Sequence, residues 1–486
     1  MPSPASRLTS LLAMLPAFVL AMGVAAAAHA NDVTSRITIS TGVSIPAAWF
    51  DPAETPGSIT PFLVLYALHD SMLKPMPAGP LTPSLAEWSQ ASEDGLTYEF
   101  MLRAGAKFHN GEPVTAEDVK FSFERYRGTG QAEMKRRVRS IDVAGGDRIR
   151  FNLAEPWPDF LTFYASATGA GWVVPKAYIA RVGEDGFKKA PIGAGPYKFV
   201  SFTPGIELVM EAFDQYWRKA PSVKRLVIRS IPDDSTRFAA LKLGEIDEAG
   251  FGGDLARQVQ QTPGLKLKAF PISVSMWLDF PGKWDPKSPW HDERVRRAVS
   301  FAIDRQEMNQ ALQLGSAHIT GSIFPENYDF YWQPPAPEYD PGKAKQLLAD
   351  AGYPQGFDAG DYYCDASVSG TGEAIVNNLR EVGIRAQLRP LERAAFFTGW
   401  GDKKFKTIVQ GWSGAFGNVA TRLQAFVVAG GTYAYGSYSD LDELYRRQAT
   451  EMDRDRRAAI LTEIQRDVYD RAMFAPIWQL GVMVAV

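Results

Sequence analysis

Residues 107–119 read KFHNGEPVTAEDV and bring Lys107, His109, Asn110, Glu112, Thr115, Glu117 and Asp118 into thirteen positions. That is the side-chain stock of an active site, so the reading of this stretch decides what kind of molecule follows. Asn110-Gly111 is a strong turn signal, because both residues accept positive φ. Thr115 with Asp118 three positions later has the form of a capping box, with Asp in place of the usual Glu or Gln. Glu117 and Asp118 fall in the first helical turn, where the helix dipole favours negative charge. Val119, Phe123 and Tyr126 follow as a buried face. A turn and a capped helix thus employ every polar residue except Lys107 and His109, and the stretch is expected to be scaffold.

Outward from it the chain is β-rich at first. LTYEFML (96–102) and DRIRFNL (147–153) alternate, and GPYKFVSFTPGIELVMEAF (195–213) reads as two strands around a Pro204-Gly205 turn. Beyond FPISVSMWLDF (270–280) helices take over. HDERVRRAVSFAIDRQEM (291–308) is read as one amphipathic helix with Val295, Ala298, Val299, Ala302 and Ile303 on its apolar face. EAIVNNLREVGI (373–384) is a helix, RAQLRPL (385–391) and KTIVQGW (406–412) are strands, and residues 453–472 form a long amphipathic helix. The alternation over 357–412 predicts an α/β lobe.

Composition bounds the function. Residues 1–30 are apolar after Arg7 and end in Ala28-His29-Ala30, the pattern of a secretory signal cut after Ala30. Asn31, not Cys, follows, so no lipid anchor is indicated, and no later run reaches the ~20 apolar residues that span a bilayer. The expected product is periplasmic. Its 456 residues exceed one hydrophobic core, so two or three domains are expected. The net charge is −3, or −4 without Arg7, which does not suggest nucleic acid or an anionic membrane as partner. One cysteine, Cys364, excludes an internal disulfide and a multi-cysteine metal site, and it reads as a small buried hydrophobe.

Four blocks carry a resemblance. Residues 81–126 (LTPSLAEWSQASEDGLTYEFMLRAGAKFHNGEPVTAEDVKFSFERY), 191–249 (from PIGAGPYKF to LGEIDEA), 289–308 and 339–357 (YDPGKAKQLLADAGYPQGF) are similar to the family 5 extracellular solute-binding proteins of ATP-binding-cassette importers, which take dipeptides, oligopeptides, nickel and opine-type solutes. The likeness runs from Ile37 to Trp478. It implies an α/β periplasmic-binding-protein fold of two lobes joined by a hinge, with an extra subdomain inserted in lobe one. On this chain it maps lobe one to 31–272, the insertion to about 66–188, lobe two to 273–475 and a return segment to 476–486, expected to be short because the chain stops at Val486. It implies a monomer that traps solute between its lobes and hands it to a membrane permease and its separate ATPase subunit, without inserting into the membrane.

No catalytic, metal or cofactor site is expected. His69, His109, His291 and His318 are not spaced as ligands on one helix. Ser413 in GWSGAFG lacks the nucleophile-elbow pattern, and GAGP (193–196) lacks the Gly-Lys-Ser/Thr of a phosphate loop. An exported hydrolase and a periplasmic chaperone remain as rival classes.

The solute is expected where strand 406–412 ends, because ligands of open α/β sheets sit at the carboxyl ends of strands. Trp412, Ser413, Gly414, Ala415, Phe416, Gly417 and Asn418 form that loop. In peptide-binding relatives it resembles Gly-Asp-x-Gly-Asp-Pro-Asp, whose Asp pairs with the peptide amine. Here the acidic positions are Ala415, Asn418 and Ala420, so the resemblance implies a kept shape and a lost charge. A free peptide N-terminus is therefore not expected to be the main anchor, unless Asp51 or Asp365 has taken that role, and restoring an acid at 415 or 418 is expected to gain affinity for free-amine dipeptides. Arg422 reads as a solvated helix residue or as a partner for a solute carboxylate. Trp49, in WFDP (49–52), reads equally as a cleft wall or as core. A peptide or peptide-like solute is expected first, and an opine-like or other small carboxylated one second.

Overall fold

The computed structural model describes residues 35–486 except 55–58, 77–78, 129 and 415–416. The signal segment with Ala30, and Ala415 and Phe416 of the candidate loop, lie outside the described residues. Among the described residues no helix is long and apolar enough to cross a membrane.

The chain starts with β1 (Arg36–Thr41) and then leaves the main sheet for an antiparallel one of four strands. These are β2 (Ala86–Ala91), β3 (Thr97–Leu102), β4 (Val138–Ala144) and β5 (Arg148–Leu153), in the order β2-β3-β5-β4. Helix α1 (Ala116–Arg125) packs Val119 and Phe123 against Phe100, Ile149 and Phe151 of that sheet. The chain returns through β6 (Tyr197–Thr203), β7 (Glu207–Ala212), β8 (Arg225–Ser230), α2 (Asp234–Lys242) and β9 (Glu248–Gly250). There follow β10 (Leu267–Asp279), α3 (Glu293–Ala302), α4 (Arg305–Gln313), β11 (Phe357–Asp365), α5 (Ser369–Glu381), β12 (Ile384–Leu391) and α6 (Arg393–Gly401). Last come β13 (Ile408–Ser413), α7 (Val419–Phe426), α8 (Ser439–Gln448), α9 (Arg454–Asp470) and β14 (Phe474–Ala485).

One ten-stranded sheet, in the order β6-β7-β8-β1-β9-β14-β10-β13-β11-β12, joins both halves. Only β10 and β14 belong to both. They pair antiparallel from Leu267↔Ala485 to Asp279↔Phe474. At one end Ala485 and Val484 also pair with β9, and at the other Ser275–Asp279 pair with β13. Between these ends the register slips at Pro271/Val274 and again at Met276/Trp277, loosening the ladder where the strands pass from one half to the other. FPISVSMWLDF is therefore the crossing strand itself.

The opening stretch has the scaffold form. Thr115 Oγ1 accepts from Asp118 N (3.3 Å) and Asp118 Oδ2 accepts from Thr115 N (2.9 Å), a complete capping box that contributes about 1 kcal/mol. In the turn only Gly111 takes positive φ (88°), while Asn110 Oδ1 accepts from Glu112 N. His109, left without a role by its neighbours, has a distant one. Its Nδ1 accepts from Gly193 N (3.2 Å) and its Nε2 bonds the Gly195 carbonyl (3.0 Å).

The predicted helix at 291–308 is two helices. Ile303 is extended, and Asp304 caps α4 by accepting from Glu307 N (2.9 Å). The break serves two buried arginines. Arg296 donates to the carbonyls of Trp290, Arg471 and Ala472, and Arg305 to those of Ser300, Ile303 and Pro476. Together they fasten the start of β14 to lobe two.

Candidate functional site

A cleft of about 840 Å³ opens beside the crossing strands, within the range of small-molecule sites. Its walls come from both lobes and almost wholly from the carboxyl ends of strands. Lobe one supplies Gly42–Ser44 after β1, Asp233, Asp234 and Arg237 after β8, and Gly250–Gly252 after β9. Lobe two supplies Asp365–Thr371 after β11 and Glu392 and Arg393 after β12. Met276 and Leu480 of the crossing strands and Leu312 and Gln313 at the end of α4 also line it. The strand-end rule that singled out Trp412 applies to these strands too, and that signal was available at Asp365 and Arg393.

The cleft carboxylates already have partners. Asp233 caps α2 through Thr236 N (2.7 Å), and Asp234 pairs with Arg237. Glu392 caps α6 through Ala394 N (2.9 Å). Asp365, 1 % exposed, accepts from Arg393 Nε (2.8 Å) and from Ser367 N and Oγ (2.9 and 2.8 Å). Arg393 Nη2 donates to Ser367 Oγ (2.8 Å), and the guanidinium lies 4.6 Å over the Trp412 ring. The result is a cation held over an aromatic face, with its side chain 17 % exposed at the cleft.

Trp412 is 8 % exposed, edge-on to Phe397, and its Nε1 has no partner among the described residues. Ser413 ends β13 opposite Ser275, and its carbonyl accepts from Arg422 Nη2 (3.4 Å). Gly414 is buried. Gly417 has φ +150°, and a Cβ there would lie 2.2 Å from Thr421 Oγ1. Asn418 caps α7: Oδ1 accepts from Thr421 N (3.1 Å), and Thr421 Oγ1 accepts from Asn418 N (3.0 Å). Its Nδ2 donates to Asp159 Oδ1 at 2.6 Å. This bond bears on the gain expected from an acid at 418. An Asp would still cap the helix, but would set a second carboxylate against Asp159.

Arg422 is 3 % exposed, which excludes the solvated reading. Its guanidinium lies 5.5–5.6 Å from the Trp277, Tyr328 and Phe426 rings, and its Nη1 has no hydrogen-bond partner among the described residues. Trp49 packs on the lobe-one cluster around Phe50 and Leu208, while Gly42–Ser44 of the same segment reach the cleft. Asp51 is not a spare acid. Burial pushes its carboxyl up, but a bidentate pair with Arg125 (2.7 and 2.8 Å) outweighs this and holds it below the usual range. Cys364 is buried, and burial pushes its thiol up to about 12. Among the described residues no group of three or more His, Cys, Asp or Glu could hold a metal, and no histidine lines the cleft.

The family model for bacterial extracellular solute-binding proteins, family 5 (middle region), matches residues 80–434. The chain belongs to this family. The family 5 protein is 26 % identical over 444 residues to heme-binding protein A of Haemophilus influenzae, covering 82 % of this chain and 78 % of that one. It is 26 % identical over 433 residues to the dipeptide-binding protein of Escherichia coli, covering 80 % and 79 %. Among solved structures it resembles the periplasmic binding protein DppA of Helicobacter pylori in complex with the peptide STSA (TM-score 0.81, 23 % identity, 93 % of both chains). It equally resembles the binding protein AgaA of A. tumefaciens R10 in complex with agropinic acid (TM-score 0.81, 23 % identity, 93 % of both chains). The two-lobed fold of these binding proteins is thus the fold of this chain.

Proposed function

We propose that this family 5 protein is the exported receptor of an ATP-binding-cassette importer, acting by capture without turnover. It closes on a peptide or peptide-like solute and presents it to a permease. The observation that carries this reading is the two-walled cleft with Arg393 fixed by Asp365 and Ser367 against Trp412. Guanidinium groups so held recognise carboxylates and carbonyls with geometric specificity. The hinge is assigned to the register slip of β10 near 271–274, so the lobe boundary falls at 272/273. An opine-like solute is the second reading. It is favoured by the lack of any acidic residue from Trp412 to Ala420.

The test is calorimetry of the mature protein with Met-Leu, STSA, glutathione, agropinic acid and haemin. At least one carboxylated member is expected to bind saturably and to be recovered chemically unchanged. Amidating its carboxylate, or Arg393→Met, should weaken binding at least ten-fold, the scale of a hydrogen bond to a charged group. Acetylating its amine should change affinity less than ten-fold. If acetylation abolishes binding while amidation leaves it intact, the anchor is wrongly assigned. If no solute binds and misfolded clients are held instead, the protein is a chaperone.

A further inference from the structure

The inserted subdomain meets lobe two at a buried polar point well separated in sequence from the crossing strands. Asp159, in the segment after β5, is 2 % exposed, and both its oxygens are taken by lobe two. Oδ1 accepts from Asn418 Nδ2 (2.6 Å), and Oδ2 forms a close ion pair with Arg457 Nη2. Arg457 is itself held by Gln448 Oε1 (3.1 Å) and lies over the Phe330 ring (4.8 Å). A second strut stands beside it. Arg137 of the subdomain, fixed by Glu133 (2.6 Å) and the Trp157 ring (4.9 Å), donates to the Ala449 carbonyl (3.2 Å).

These partners are 259–312 residues apart in sequence, and the bonds exist only while the lobes are together. A carboxylate and a guanidinium that meet out of water stay buried only as a pair. When the lobes part, both return to solvent and the contact is lost whole. Asn418 is also the cap of α7 and the last residue of the candidate solute loop. The same carboxylate therefore ties the start of α7 to the inserted subdomain.

We propose that Asp159, with Asn418 and Arg457, is a closure latch. The proposal rests on the closing-receptor reading above. Asp159 and Arg457 do not line the cleft, so loss of their pair is expected to shorten every solute's residence by the same factor. Asn418 serves both contacts at once, its Oδ1 accepting as the cap of α7 and its Nδ2 donating to Asp159.

The test uses the mature protein labelled at Leu243→Cys in lobe one and Arg385→Cys in lobe two, both exposed; the native Cys364 is buried and does not compete for dye. Single-molecule energy transfer between the lobes is read first without solute and then with each member of the panel. The wild type is expected to visit a short interlobe distance. Asp159→Asn and Arg457→Met should each lower that population at least ten-fold. Asn418→Asp should lower it further, and Asn418→Asp combined with Asp159→Asn should recover part of the loss, because the amide and carboxylate have changed places. Dissociation rates of Met-Leu and haemin, where they bind, should rise by one common factor in the single variants. An unchanged short-distance population in both single variants, no rescue in the double, or a wild type that never shows the short distance overturns the latch. If no probe binds, the receptor reading fails, and the solute-free distances still decide the latch.

Discussion

Gly193→Ala is expected to cost more than about 4 kcal/mol, or to abolish folding, although Gly193 touches no solute and caps no helix. GAGP (193–196) lies against the end of helix Ile59–Leu68. A Cβ on Gly193 would stand 2.0 Å from the Leu68 carbonyl oxygen and 2.5 Å from His69 Nδ1, and one on Gly195 would stand 2.5 Å from the Ala67 oxygen. Neither obstacle is the free end of a flexible side chain. Relief would require moving backbone that also carries Gly195 N→Leu68 O (3.1 Å) and His109 N→Gly193 O (2.9 Å). Urea unfolding of Gly193→Ala beside the milder Thr115→Ala checks this. A loss no larger than the ~1 kcal/mol of the cap would contradict it.

The same junction should make the protein sensitive to acid. Burial lowers His69 to about 4 and His109 to about 3, and both rings lie beside the glycines of 193–195. Beside His69, Asp51 and Arg125 pull in opposite directions. Both imidazoles are neutral in the fold, whereas an unfolded histidine takes its proton near pH 6.5. Below that value the unfolded chain binds protons that the folded chain refuses. Stability is therefore full above about pH 6.5 and falls as pH drops toward 4 for His69 and 3 for His109. The loss by pH 4.5 is on the order of 2 to 3 kcal/mol for each ring. His109→Gln should flatten part of this slope without altering solute affinity at neutral pH. Equal unfolding free energies at pH 7.5 and 4.5 would show that the rings are not held neutral.

Much of the fold was legible because its signals are local. The Thr115–Asp118 cap, the Pro204-Gly205 turn and the strand–helix alternation over 357–412 all lie within a few residues of the groups they join. The split at Ile303 was legible too: Asp304 with Glu307 three positions on is a second cap, outweighed in the reading by a continuous apolar face. What local pattern cannot show is partnership at long range. Strand 267–279 passes through both lobes because its mate is 474–485. Asn418 donates to Asp159, and a residue 259 positions away leaves no mark on local periodicity. A single charge in a helix usually faces water, and only packing puts Arg422 among three rings. The strand-end rule points to Arg393 as well as to Trp412, and only the fold brings the two side chains together.

The central claim is that two lobes sharing the strands 267–279 and 474–485 close around a solute. Small-angle scattering of the mature protein, with and without the tightest-binding member of the panel, tests it most directly. The account predicts a smaller radius of gyration at saturation and a bound profile that matches the closed arrangement in which Asp159 meets Asn418 and Arg457. Identical profiles with and without saturating solute would contradict it.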